Sequence, residues 1–161
     1  MDAQKLLEFL RSSRLAVQAS LSYDDHPQAA VVGFAISDAF EIVFDTLQTT
    51  RKAINLRRNS HIAFVIGGLL QGDERTVQYE GVADEPFGAD LERLKEIYYS
   101  AFPDGPSRAN WPGLIYIRVR PKWIRYSNYN QNPPQIVEFQ GQDLTALISQ
   151  MVSLRCQRSP S

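Results

Sequence analysis

Residues 28–36 constrain the fold more than any other segment, because after Gln28 the run is apolar on both faces. In a strand, Ala30, Val32, Phe34 and Ile36 point one way and Ala29, Val31, Gly33 and Ala35 the other. A strand covered on one side alternates apolar with polar residues, so this one needs cover on both faces. A ligand, a second subunit or a helix of the same chain would each supply it. Gly33 leaves room for a neighbour to approach the backbone closely.

The flanking segments read as short helices and strands. Residues 2–12 set Ala3, Leu6, Leu7 and Leu10 on one face at helical spacing. Leu15, Val17, Ala19 and Leu21 alternate strictly with Ala16, Gln18, Ser20 and Ser22, as in a strand with one buried face. Further strands are expected over 40–45, with Phe40, Ile42 and Phe44 inward, and over 61–66, 75–83 and 114–126, the last bent at Pro121. Helices are expected over 49–58, over 86–99 with Pro86 in the first turn and Phe87, Leu91, Leu94 and Tyr98 on one side, and near 144–151. Residues 102–113 read as a proline-rich loop and 155–161 as uncommitted. The total is about six strands, mostly joined by short turns that favour antiparallel pairing. Closure into a barrel would remove the edges of such a sheet. An open sheet with helices on one face is the alternative.

At 161 residues the chain suits one domain. A net charge of −1 argues against a polyanion partner. The single cysteine, Cys156, excludes an internal disulfide, and no apolar run approaches the roughly 18 residues of a membrane span. A soluble cytoplasmic protein with no membrane or nucleic-acid partner is expected. His26 and His61 have no partner at ligand spacing, so no metal site is expected. Arg118, Arg120, Lys122 and Arg125, beside Trp123 and Tyr126, read as a solvated strand face rather than a nucleic-acid platform.

The chemistry concentrates in residues 44–56. A strand ends near Asp45, a loop follows, and Thr50-Arg51-Lys52 opens a helix. Two cations at the positive end of a helix dipole are unfavourable unless an anion occupies the site. Free N–H groups, threonine hydroxyls and these cations could hold a phosphate. Alternatively, Arg51 and Lys52 extend into solvent beside a threonine cap.

This element resembles the FMN-binding split-barrel family of pyridoxamine 5′-phosphate oxidase, in which a threonine ends a barrel strand and Ser/Thr-Arg-Lys starts a helix. The resemblance covers roughly residues 6–126. It implies a mainly β fold with flanking helices, a six-stranded antiparallel split barrel over residues 1–130, and a tail over 131–161 that packs on it. It implies that Thr46, Thr50, Arg51 and Lys52 contact the FMN phosphate and ribityl chain, with Asp45 at the strand end among the cofactor-binding residues. Residues 27–34 resemble the family strand whose backbone lies along the flavin ring, through Ala30, Val31, Val32 and Gly33. Residues 75–81, RTVQYEG, resemble the strand in which a glutamine reaches FMN, often from the other subunit; Thr76 stands at that position and Gln78 shares its face. Trp123 falls in the segment that carries a tryptophan in the oxidases. The resemblance further implies a homodimer with the cofactor at the subunit interface. It implies an FMN-dependent oxidoreductase moving hydride or electrons to or from a small substrate, with no catalytic side chain required. Relatives that hold a deazaflavin or haem make a binding protein the alternative. The Arg-x-His element that grips substrate phosphate in the vitamin B6 oxidases has no counterpart, nor has the lysine that closes their second strand.

Overall fold

A computed structural model describes residues 1–68 and 70–158. Its strands are β1 (Leu15–Leu21), β2 (Pro27–Gly33), β3 (Ala35–Ile36), β4 (Ile42–Leu47), β5 (His61–Gly67), β6 (Arg75–Asp84), β7 (Leu114–Asn128) and β8 (Gln135–Gln140). Its helices are α1 (Ala3–Ser12), α2 (Arg51–Arg58), α3 (Gly88–Ala101), α4 (Gly105–Arg108) and α5 (Gly141–Arg158). Every strand pairing is antiparallel.

The sheet order is β2-β1-β5-β6-β7-β4-β3. Its two end strands, β2 and β3, are separated in the chain by Phe34 alone. A sheet whose opposite ends are joined by one residue must curl back on itself, and this is the split barrel. β4 pairs with Leu114–Val119 at the start of β7, and β8 continues along Trp123–Asn128. Where β6 meets the middle of β7, Glu80 lies opposite Trp123 and Gly81 opposite Pro121, leaving Lys122 as the extra residue of a bulge. Pro121 has no N–H to offer the ladder, so the bulge falls where pairing is already broken.

The structure has eight strands rather than six. The apolar run breaks at Phe34 into β2 and β3, and β8 comes from the tail. Phe40 does not begin a strand. Its φ of 58° closes a turn in which its N–H donates to the Ser37 carbonyl at 3.0 Å. Pro86 and Phe87 precede α3, and Phe87 is exposed. The 102–113 segment contains α4, and α5 runs through 155–158. Residues 159–161 of the segment read as uncommitted lie outside the described residues.

The core holds Phe34, Phe40, Phe44, Phe64 and Tyr79, with Leu6, Leu7 and Leu10 of α1 and Leu144 and Leu147 of α5 closing one end. Phe44, Phe64 and Tyr79 meet edge to face at 6.1 and 5.9 Å. A smaller cluster lies outside the barrel, where Leu94 and Tyr98 of α3 cover Ala35, Val43 and Tyr116.

β1 presents the opposite face to the one its alternation suggests. Ala16, Gln18 and Ser20 are buried, while Leu15, Val17, Ala19 and Leu21 are only partly covered or exposed. In the sheet, Val17 sits between Val31 of β2 and Val65 of β5, and Ala19 between Ala29 and Ala63. Leu15, Val31 and Val65 are 52%, 61% and 45% exposed. The second face of β2–β3 is therefore covered in part. A Cβ on Gly33 would lie 3.0 Å from the Phe102 ring, and Ala35 lies under α3, but Ala29 and Val31 are exposed.

Candidate functional site

β4 delivers Thr46 to the interior on the face that carries Ile42 and Phe44. A turn closed by the Thr50 N–H on the Leu47 carbonyl, at 3.0 Å, leads into α2. Thr50 is the N-cap, and its hydroxyl accepts from the Ala53 N–H at 3.4 Å. The Thr46 and Thr50 hydroxyls lie 3.0 Å apart, and the Lys52 ammonium donates to Thr46 at 3.3 Å. Arg51 is exposed at the first position of α2, whose first turn holds no acidic residue. Among the described residues neither Arg51 nor Lys52 has an acidic partner. The first turn of α2 thus gathers the Lys52 ammonium, two hydroxyls and free N–H groups, with the exposed Arg51 on the same turn, chemistry suited to an oxyanion.

Asp45 does not join them. Successive strand residues face opposite ways, so Asp45 points outward, where it accepts from the Tyr98 hydroxyl at 2.8 Å and pairs with Arg108 at 3.4 Å. Burial raises the Tyr98 phenol well above its ordinary range, keeping it a neutral donor to Asp45.

A polar seam inside the barrel escaped the sequence reading. Asn55 of α2 is buried and reaches the Ser20 hydroxyl at 3.2 Å and the Gln28 side-chain oxygen at 2.9 Å. Gln18, two residues from Ser20 on the same face, is 1% exposed, and its side-chain oxygen has no hydrogen-bond partner. Polar residues alternating on one face of β1 were the available signal.

The other cofactor candidates divide between the two faces of the sheet. Ala30 and Val32 turn inward with Gln18 and Ala16, their β1 partners. Val31 turns outward, as do Gln78, opposite Val65, and Trp123, opposite Glu80; Thr76 shares the Gln78 face. One copy of the chain therefore places Thr46 and Val31, Gln78 and Trp123 on opposite sides of its sheet.

The basic strand is not one solvated face. Arg118 is buried against Asp84 and Asp90, and Arg120 and Arg125 pair with Asp84 and Glu138 at 3.3 and 3.5 Å. No cluster of three or more His, Cys, Asp or Glu suited to a metal occurs among the described residues. No helix among them is long and apolar enough to cross a membrane.

Comparison with solved structures places the chain beside a haem-binding protein from Mycobacterium smegmatis, with a TM-score of 0.76 at 16% identity over 91% of this chain. The chain spans only 61% of that protein's length. A conserved hypothetical protein from Mycobacterium tuberculosis aligns with a TM-score of 0.69 at 22% identity, covering 88% of this chain and 93% of that one. HutZ, the haem storage protein from Vibrio cholerae, aligns with a TM-score of 0.66 at 12% identity, covering 89% and 99%. At these identities the likeness is one of fold, and these neighbours share the split barrel. No curated protein matches the sequence. The sequence model described as pyridoxamine 5′-phosphate oxidase matches residues 3–128, nearly the whole barrel, and the chain belongs to that family.

Proposed function

We propose that the chain is a dimeric FMN-binding protein and serves as an oxidoreductase for a small substrate. The observation that carries this reading is the pair of uncompensated cations, Arg51 and Lys52, in the first turn of α2 beside the Thr46–Thr50 hydroxyl pair. Thr46, Thr50, Arg51 and Lys52 would hold the phosphate. Bound flavin supplies hydride chemistry; the chain's part is binding, orientation and exclusion of water. The outward stripe of Leu15, Val17, Val31 and Val65 suits a second copy, which would set Gln78 and Trp123 of one subunit toward the cofactor of the other.

The test is selectivity for the phosphate. Lys52→Ala with Arg51→Ala is expected to weaken FMN by about 100-fold, since each charge-assisted hydrogen bond contributes about 1.5–3 kcal/mol. Riboflavin affinity should stay within about twofold, as it has no phosphate to lose. Fluorescence titration of both ligands measures this, and equal losses would overturn the phosphate assignment.

A second reading, haem binding, is favoured by one feature besides the neighbours' names. His61 lines an outer groove of about 420 Å³ with Ala19, Ala63, Glu80 and Lys122. Its imidazole is a possible iron ligand, and Lys122 could meet a propionate. If haem is the cargo, titration with haem gives a Soret band that His61→Ala shifts or abolishes, while Lys52→Ala leaves it unchanged. A deazaflavin with a phosphate would use the same α2 grip as FMN, and the absorption of released chromophore separates the two.

A further inference from the structure

A cleft of about 450 Å³ opens between α1, β3 and the C-terminal half of α3. None of its lining residues belongs to the phosphate grip or to the outer stripe. Its floor is apolar and built from core residues: Leu10, Phe34, Ala35 and Ile36 are all buried, and Ile97 and Ala101 of α3 form a wall. The volume falls in the range of small-molecule sites, and the lining is an apolar body with a few polar groups at the rim.

The polar rim carries two guanidinium groups in different states. Arg11 is neutralised by Asp38 at 2.7 Å and also reaches the Ile36 carbonyl at 3.3 Å. Arg14 has no acidic partner among the described residues. It donates to the Ala101 carbonyl at the end of α3 and lies 5.2 Å over the Phe102 ring. Neither contact neutralises a full charge, and a guanidinium offers more N–H donors than these contacts use. Ser13 and Ser100 add hydroxyls at the same rim.

We propose that this cleft binds a small amphipathic carboxylate, a straight-chain fatty acid of about ten carbons, with the alkyl chain on the Phe34–Ile36 floor and the carboxylate on Arg14. The charge requirement sets the class. A carboxylate gains a pairing with Arg14, exposed at the rim without an acidic partner among the described residues, that a neutral compound lacks, and an inorganic anion would leave the apolar floor wet. The site stands apart from the proposed cofactor grip, and neither reading depends on the other.

Calorimetric titration of the full chain with decanoate below its micellar concentration tests the assignment, with decanol and decyltrimethylammonium as probes of the same length. Decanoate should bind at one per chain, at least tenfold tighter than decanol, and decyltrimethylammonium not at all. Arg14→Gln removes the charge and keeps a polar amide at the rim; it should weaken decanoate at least tenfold and leave decanol unchanged. Ser100→Trp, at an exposed position of α3, should fill the cleft and abolish both, with circular dichroism confirming the fold of each variant. Saturating FMN should leave decanoate binding unchanged. Three results overturn the proposal: no saturable decanoate binding, equal affinity for decanoate and decanol, or competition between decanoate and FMN.

Discussion

Val65→Asp is expected to convert the proposed dimer to a folded monomer. Val65 stands at the centre of the outer sheet face, with Val17 and then Val31 on one side and Gln78 and then Arg125 on the other. In the isolated chain Val65 is nearly half exposed, so a carboxylate there stays hydrated and the barrel should retain its circular dichroism. In a two-fold dimer built on this face the same carboxylate would lose its water against an apolar partner, and symmetry makes the change twice. Two such groups at about 3 kcal/mol each raise the dissociation constant by about 10⁴. Val65→Thr, similar in size and uncharged, should remain dimeric at micromolar concentration. Sedimentation velocity decides the matter. A wild-type monomer in the presence of FMN, or an unperturbed Val65→Asp dimer, would remove this face from the interface. The monomer should also bind FMN more weakly, because Gln78 and Trp123 would no longer reach across.

The same face explains where sequence and structure part company. Alternation located β1, but periodicity defines two faces without saying which is the core. The usual rule assigns the apolar one inward, and in β1 the interior is the polar seam of Gln18, Ser20, Gln28 and Asn55 under α2. In β1 the apolar side is left partly uncovered by the chain, which inverts the rule. Residues 28–36 were expected to need cover on both sides, and the chain itself supplies it only in part. Phe102 and α3 meet Gly33 and Ala35, whereas Val31 is exposed. The grouping of Thr46, Thr50 and Lys52 was legible because a strand end, an N-cap and a helix start leave local marks. Asp45 stands apart from them because a strand turns neighbouring residues to opposite sides. β8 was missed although Ile136, Glu138 and Gln140 alternate with Val137 and Phe139, a pattern short enough to hide behind Pro133-Pro134.

Replacing Arg118 with methionine should be among the most damaging single changes to stability. Arg118 is 7% exposed on β7, and its guanidinium donates to both Asp84 oxygens at 3.0 and 2.7 Å and to Asp90 at 2.8 Å, with Glu41 at 3.8 Å. Methionine keeps much of the stem's packing and removes the charge, leaving three carboxylates gathered around an apolar tip. Breaking a buried pair by deleting one partner costs about 3–5 kcal/mol. Asp84 and Asp90 are a third to a half exposed and can rehydrate, which places the expected loss near 3 kcal/mol. For a domain of this size that lowers the melting temperature by about 6–12 °C. The pH dependence separates charge from packing. Hydrogen bonds from Arg118 hold the Asp84 and Asp90 carboxyls below their ordinary value of 3.8. A carboxylate whose folded pKa is depressed adds stability that is fully present above its unfolded pKa and is lost as pH falls through the folded one. The gap between wild type and Arg118→Met should therefore be widest at pH 6–7 and narrow steadily below about pH 4. Adding Asp84→Asn to Arg118→Met should recover part of the loss at neutral pH, since it removes one of the like charges that Arg118 held together and leaves only the exposed Arg120 without its partner. A gap of constant size from pH 7 to pH 3, unaffected by Asp84→Asn, would assign the role of Arg118 to the packing of its stem rather than to its charge.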